Sequence, residues 1–306
     1  MHPVILFLST PRCGTQWLAK YLGQVYKDEA TVLHEPIMYD YYPRLNLGRY
    51  DLPLLPKENP KLKQHLDFIE EETKQKKYIE VGWQSIAGIA EFYRRFGDRL
   101  KVIHLYRNPV FVAASLVTID FYTEKHEERA EKAILKPFDD VALLVQYRER
   151  WEQLDRYEKS LYYWTEINLH ALEIKYHYED LPFYSLKFEN LFKENTQSSR
   201  INLVEMLSFM DLNYREKMLN ALNIRHDEYH YSTDLSIDWK KIEEHLQTLA
   251  LAKKLGYNLD EEIDLQRYEK SLKQKIASQI PLKVQKVIKV LIPSKVLEML
   301  KSFLFN

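Results

Sequence analysis

Residues 3–18 read PVILFLSTPRCGTQWL, and this stretch decides the fold. Pro3 to Ser9 is a short, nearly continuous apolar run, the pattern of a strand buried on both faces. Thr10 to Gly14 breaks the run with a proline and a glycine. From Thr15 the period becomes helical, with Leu18, Tyr21, Leu22 and Val25 at helical spacing. Strand, tight loop and helix in immediate succession open a βαβ unit, so a parallel sheet is expected.

The rest of the chain continues the alternation. Thr31 to His34 reads as a second strand ending at Glu35-Pro36. Tyr78 to Trp83 reads as a third, followed by a helix from Ile86 to Phe96. Residues 39–77 between them begin rich in Tyr and Pro and then turn charged and helical. Leu100 to Tyr106 (LKVIHLY) is a clear strand running into Arg107-Asn108-Pro109 and an apolar helix from Val110 to Ile119. Tyr122 to Tyr178 reads as a long charged helical region, Phe183 to Phe188 as a strand and Ile201 to Met210 as a helix. Trp239 to Leu255 is strongly periodic and stops at Gly256, a natural C-cap.

Strands alternating with helices predict the α/β class: a nucleotide-binding domain over residues 1–262, with a central parallel β-sheet flanked by helices. Residues 263–306 are expected to form a helical C-terminal extension. There, Leu272 to Phe305 interleaves lysines with apolar residues and is broken by Pro281 and Pro293. It reads either as a solvated hairpin packed on the domain or as a peripheral membrane or oligomer contact.

Composition narrows the function. Of 306 residues 45% are apolar, enough for a substantial core. Lys plus Arg number 44 against 45 Asp plus Glu, so the basic footprint of a nucleic-acid binder is missing. A local basic pocket for one anionic ligand is still allowed. The single cysteine, Cys13, excludes an internal disulfide and a Cys-rich zinc site. No apolar run reaches the about 18 residues of a membrane span, and the N-terminus lacks a signal-peptide pattern. A cytoplasmic protein is the expectation.

The loop after the first strand has the makings of an anion site, because a helix N-terminus presents unpaired N–H groups and the positive end of its dipole. Arg12 adds a cation, Gly14 allows close backbone approach, and Thr15 and Gln16 add side-chain donors. Cys13 reads either as a thiol of lowered pKa or as the filler of a small loop position. A nucleoside-triphosphate loop would read G-x-x-x-x-G-K-[ST]; its first Gly and its Lys are missing here. The fourth strand also ends in Arg107 rather than in an Mg²⁺-holding Asp. Asn108 is a good N-cap with Pro109 at the first helical position, so Arg107 projects from the same sheet edge as Arg12. Ser115 follows Arg107 by eight residues in an otherwise apolar helix.

With Arg12-Cys13-Gly14-Thr15-Gln16-Trp17-Leu18 after one strand and Arg107-Asn108-Pro109 with Ser115 after another, the chain resembles the PAPS-dependent sulfotransferases (PAPS is 3′-phosphoadenosine 5′-phosphosulfate). The resemblance covers roughly residues 3 to 257 and implies their P-loop-like architecture, with PAPS as sulfuryl donor and no metal. Arg12, Cys13, Gly14, Thr15, Gln16 and Trp17 would then line the 5′-phosphosulfate end. Arg107 and Ser115 would take the 3′-phosphate, and Trp17 and Phe188 would contact the adenine. The family's Arg-Lys-Gly loop is absent, leaving Lys240 and Lys241 as substitutes.

Arg12 is expected at the bridging oxygen, where negative charge develops as the S–O bond breaks. One branch of the family uses a His as base, but Ser85 stands at that offset here. Other branches use a Glu after the second strand, which His34-Glu35-Pro36 fits, making Glu35 the expected base with His34 as its neighbour. His104 reads as a core histidine. Acceptor binding falls to residues 39–50 and 122–164, whose tyrosines suit small-molecule, lipid or carbohydrate acceptors alike. The rivals are a P-loop nucleotide kinase or related phosphotransferase, and a non-catalytic nucleotide-binding relative.

Overall fold

β1 (Val4–Ser9) is buried along its whole length and has a parallel neighbour on each side, which is why its run of apolar residues is unbroken. The computed structural model describes residues 1–123, 125, 127–192, 197–224, 237–260, 263 and 265. From β1 the chain runs through α1 (Thr15–Val25) to β2 (Ala30–His34), then through α2 (Pro43–Asn46) and α3 (Pro60–Glu72) to β3 (Lys77–Val81). It continues through α4 (Ile89–Phe96) to β4 (Leu100–Tyr106), then through α5 (Pro109–Thr118), α6 (Glu127–Lys132) and α7 (Arg156–His177) to β5 (Phe183–Lys187). Helices α8 (Phe188–Phe192), α9 (Gln197–Phe209), α10 (Glu216–Leu222) and α11 (Leu246–Lys254) follow.

The strands form one sheet in the order β2-β3-β1-β4-β5, every pairing parallel. The expected α/β architecture is the observed one. From β1 the chain first builds outward to β2 and β3, then crosses to β4 and β5 on the other side. The crevice beside β1 is therefore a switch point, the place where open parallel sheets bind ligands. Parallel pairing also delivers all five strand ends to one edge, and the register keeps them level, with Ser9 beside Leu105, His34 beside Val81 and Tyr106 beside Lys187.

Local chemistry sets three of the helix starts. Asn108 accepts the Val110 N–H and Pro109 opens α5; Asn59 and Pro60 do the same for α3. At α7, Asp155 and Glu158 form a capping box. Gly256, at φ 80, closes α11, its N–H donating to the Lys253 carbonyl while that of Tyr257 reaches Ala252.

Several boundaries differ from the sequence reading. The region Tyr122 to Tyr178 is not one helical stretch; between α6 and α7 it holds loop and a 3₁₀ segment, Val145–Gln153. The buried Glu166 carboxylate accepts the N–H groups of Leu143 (3.0 Å) and Leu144 (2.7 Å), and Arg44 grips Asp139. These bonds hold the chain in a loop that periodicity cannot foresee. Trp239 to Leu255 breaks at His245, which is wholly buried against the Tyr147 hydroxyl at 2.8 Å. β3 stops at Val81, so Gly82 and Trp83 lie in the loop beyond it; Phe188 opens α8 rather than ending β5. α4 follows a 3₁₀ turn at Ser85–Gly88, and α9 begins before Ile201. The helical extension expected over 263–306, with its 272–305 contact segment, lies outside the described residues except for Ile263 and Leu265, which pack with Val110 and Leu161.

Candidate active site

The loop after β1 turns back on itself through positive φ at Arg12 (71°) and Gly14 (79°). At Gly14 a side chain is excluded twice, since a Cβ would also lie 2.9 Å from the Phe188 ring. α1 then starts at the strand end with no side-chain cap and no acid in its first turn. Arg12 Nε donates to Ser115 Oγ at 2.7 Å. Arg107 Nη1 donates to the carbonyl of Arg12 at 2.8 Å, while Arg107 Nε is buried with no hydrogen-bond partner among the described residues. The two expected anion loops are thus physically joined. Ser115, assigned from sequence to Arg107's site, contacts Arg12.

The Arg107 backbone is itself clamped. The Trp164 indole donates to its carbonyl at 2.9 Å, and the next N–H, of Asn108, donates to Glu189 at 2.9 Å. Glu189 in turn accepts the Tyr257 hydroxyl at 2.8 Å. Thr15 is buried with its hydroxyl 3.2 Å from His34 Nε2, and Gln16 is exposed. Cys13 is fully buried beside the Thr10 hydroxyl at 3.1 Å, and burial pushes its thiol up to about 11. The lowered pKa is overturned: desolvation by burial dominates, and the thiol packs inside the loop against Thr10.

The rings expected at the adenine come together. Phe188 stacks on Phe192 at 4.4 Å, and Phe192 meets Trp17 edge-on at 4.9 Å. The Arg107 guanidinium lies 4.5 Å from the Phe188 centroid. Trp17 is buried and anchored by its indole N–H to the Ile224 carbonyl at 3.1 Å. Phe192 was missed in the sequence, although its spacing of four from Phe188 puts both on one helix face. Lys241 does not serve the Arg107 site in this structure; it bonds Asp155 (2.7 Å) and Glu158 (3.2 Å) at the start of α7. Lys240 lies over Trp239.

On the β2/β3 side, Glu35 (φ 48°) leaves the sheet with its Cγ against Gly82, where a Cβ would approach to 3.1 Å. Gln84, buried just beyond β3, donates Nε2–H to Glu35 Oε2 at 3.1 Å. His34 Nε2 lies 3.5 Å from Glu35 Oε1. The Glu35 side chain is 18% exposed. Its burial pushes the carboxyl up to about 7, with the Gln84 bond opposing and the charge of Glu80 adding to the rise. Burial lowers His34, which favours its neutral form. His104 is a core residue as expected, bonded to Asn168 at 2.8 Å and pushed by burial to about 4. Ser85 Oγ is buried without a partner.

The two regions expected to bind the acceptor meet around Trp83. Tyr39 lies 6.2 Å from the Trp83 ring and Tyr163 lies 6.1 Å from it on another side. Neither Trp83 nor Gln84 stood out in the sequence, because their role depends on β3 ending two residues early.

Residues 2–227 match the family model described as "Sulfotransferase domain". No curated protein sequence matches the chain. Similar solved structures include the sulfotransferase domain of the Synechococcus PCC 7002 olefin synthase, at 16% identity and TM-score 0.44, covering 92% of this chain and 96% of that one. The sulfotransferase domain from the curacin biosynthetic pathway has 16% identity and TM-score 0.42, covering 91% and 97%. Mouse sulfotransferase SULT7A1, complexed with PAP, has 16% identity and TM-score 0.40, covering 83% and 82%.

Proposed function

We propose, from the premise that the chain belongs to the sulfotransferase-domain family, that it moves a sulfuryl group from PAPS to a hydroxyl or amine of a small-molecule, lipid or carbohydrate acceptor, by in-line transfer with Glu35 as base. The observation that carries this reading is the coupling of Arg12 and Arg107 at neighbouring strand ends, with the buried Arg107 Nε left without a partner. A buried charged donor of this kind calls for an anion.

In this assignment Arg107 and Ser115 serve the 3′-phosphate, and Thr15, Gln16 and the N–H groups of residues 12–16 hold the 5′-phosphosulfate. Trp17 and Phe188 flank the adenine. PAPS, when bound, supplies the activated sulfuryl group. Arg12 offsets the charge on the departing oxygen. Glu35 takes the proton from the acceptor, and its carboxyl near pH 7 suits that task, being substantially ionised at neutral pH yet basic enough to hold the proton. Gln84 keeps one carboxylate oxygen oriented, leaving the other toward the neutral His34.

Calorimetric titration with 3′-phosphoadenosine 5′-phosphate (PAP) in the absence of metal tests the donor site. Saturable binding, lost in Arg107→Ala and not matched by ATP–Mg²⁺, is the expected result. A preference for ATP–Mg²⁺ would overturn the reading in favour of phosphotransfer.

A further inference from the structure

The acceptor side holds polar atoms that the fold does not satisfy. From Glu35 a line of rings leads away from the sheet edge: Tyr39 and Trp83 (6.2 Å), Trp83 and Tyr163 (6.1 Å), then Tyr163 and Phe121 (4.9 Å). At its far end the Arg129 guanidinium, from α6, lies 5.3 Å from the Phe121 centroid. Arg129 Nη2 donates to the carbonyls of Ile119 (3.1 Å) and Asp120 (3.0 Å), so one nitrogen secures the end of α5. Arg129 Nε and the Tyr163 hydroxyl are both buried and have no hydrogen-bond partner among the described residues.

Two orphaned donors in one cluster are costly, the more so where the group is charged. The Asp120 carboxylate accepts a bond from neither; it takes Lys125 at 2.9 Å and lies 3.7 Å from Arg156. Burial lowers the Arg129 pKa, with the charge of Asp120 opposing. Tyr39 and Tyr163 each feel both Glu35 and Arg129, which places the two charges around the same pair of rings. A carboxylate, with two oxygens, can accept from Arg129 Nε and the Tyr163 hydroxyl at once.

We propose that the acceptor is a ring-bearing alcohol or phenol that carries a carboxylate: its hydroxyl meets Glu35, its ring lies along Trp83, and its carboxylate is received by Arg129 and Tyr163. The hydroxyl end rests on the sulfotransferase reading; the carboxylate end does not.

The test is binding rather than turnover. Full-length protein is titrated with 4-hydroxyphenylacetate, its neutral amide and tyramine, following tryptophan fluorescence. The carboxylate should bind about tenfold more tightly than the amide, and the cationic tyramine most weakly. Arg129→Gln should erase the preference. Because Arg129 also holds the end of α5, Tyr163→Phe provides a second variant that breaks no bond of the fold; it should weaken the carboxylate about fivefold and leave the amide unchanged. Equal binding of carboxylate and amide, a preference surviving in both variants, or no binding of any probe would overturn the proposal. Titration with PAP is read separately: its failure, with the carboxylate preference intact, would remove the donor assignment and leave this one standing.

Discussion

Arg107 and Glu35 stand at strand ends of the same sheet, and their surroundings differ in kind. Around Arg107 the parts are tied together before any ligand arrives: its guanidinium donates to the Arg12 carbonyl, its own carbonyl accepts the Trp164 indole, and the next N–H, of Asn108, goes to Glu189. Around Glu35 one side-chain bond, from Gln84, orients a carboxylate that burial drives toward its neutral form, and the rings beyond it enclose unpaired polar atoms. The first arrangement suits an anion of constant shape. The second leaves polar chemistry for a ligand to complete. Preorganisation and unsatisfied potential are divided between the two sides of β1.

The largest effect that would sharpen this contrast is expected from Glu35→Gln. Turnover should fall about a thousandfold while PAP affinity stays within about twofold, because the base contributes to proton transfer and not to donor binding. Equal losses in both quantities would break the division. Arg107→Ala should do the reverse, weakening PAP about a hundredfold by calorimetry. The wild-type rise of kcat/KM with pH through about 7, set by Glu35, should persist in that variant.

Stability gives an intermediate effect of opposite sign. The carboxyl of Glu35 is raised from 4.5 unfolded to about 7 folded, so the native state binds its proton more tightly and stability falls as pH rises across that window. Glu35→Gln removes the penalty and should stabilise the protein at pH 8 by on the order of 2–3 kcal/mol, measured by urea unfolding. Gln84→Leu is expected to move the activity limb to higher pH, since its bond favours the ionised carboxylate. An unchanged limb would show that Gln84 packs without orienting. The smallest effect belongs to Cys13: at pH 8 iodoacetamide should leave the folded protein unlabelled, as detected by mass spectrometry.

Legibility in the sequence follows the same division. β1 and β4 were readable because a strand buried on both faces must be apolar throughout, and the loops after them concentrate their chemistry within a few consecutive residues. Arg12, Gly14 and Arg107 are local statements. The acceptor side is not: Trp83, Tyr163, Phe121 and Arg129 come from four separate elements, and no spacing announces that they meet. The misread helical stretch has the same cause. Residues 133–155 carry helix-compatible composition, but a buried Glu166 and an Arg44–Asp139 pair, each distant in sequence, fix them as loop and 3₁₀ turn. Likewise His245, periodic with its neighbours, is claimed by Tyr147.

The bond from Arg107 to the Arg12 carbonyl spans 95 residues of sequence. It makes the loops after β1 and β4 a single mechanical part. A loop transplanted from a relative at residues 10–16 would keep its backbone shape only if an arginine also closed the fourth strand, and replacing that arginine would unsettle a loop it never touches in sequence. A substitution at one position is therefore felt at the other, so the two loops should tolerate change only in paired steps.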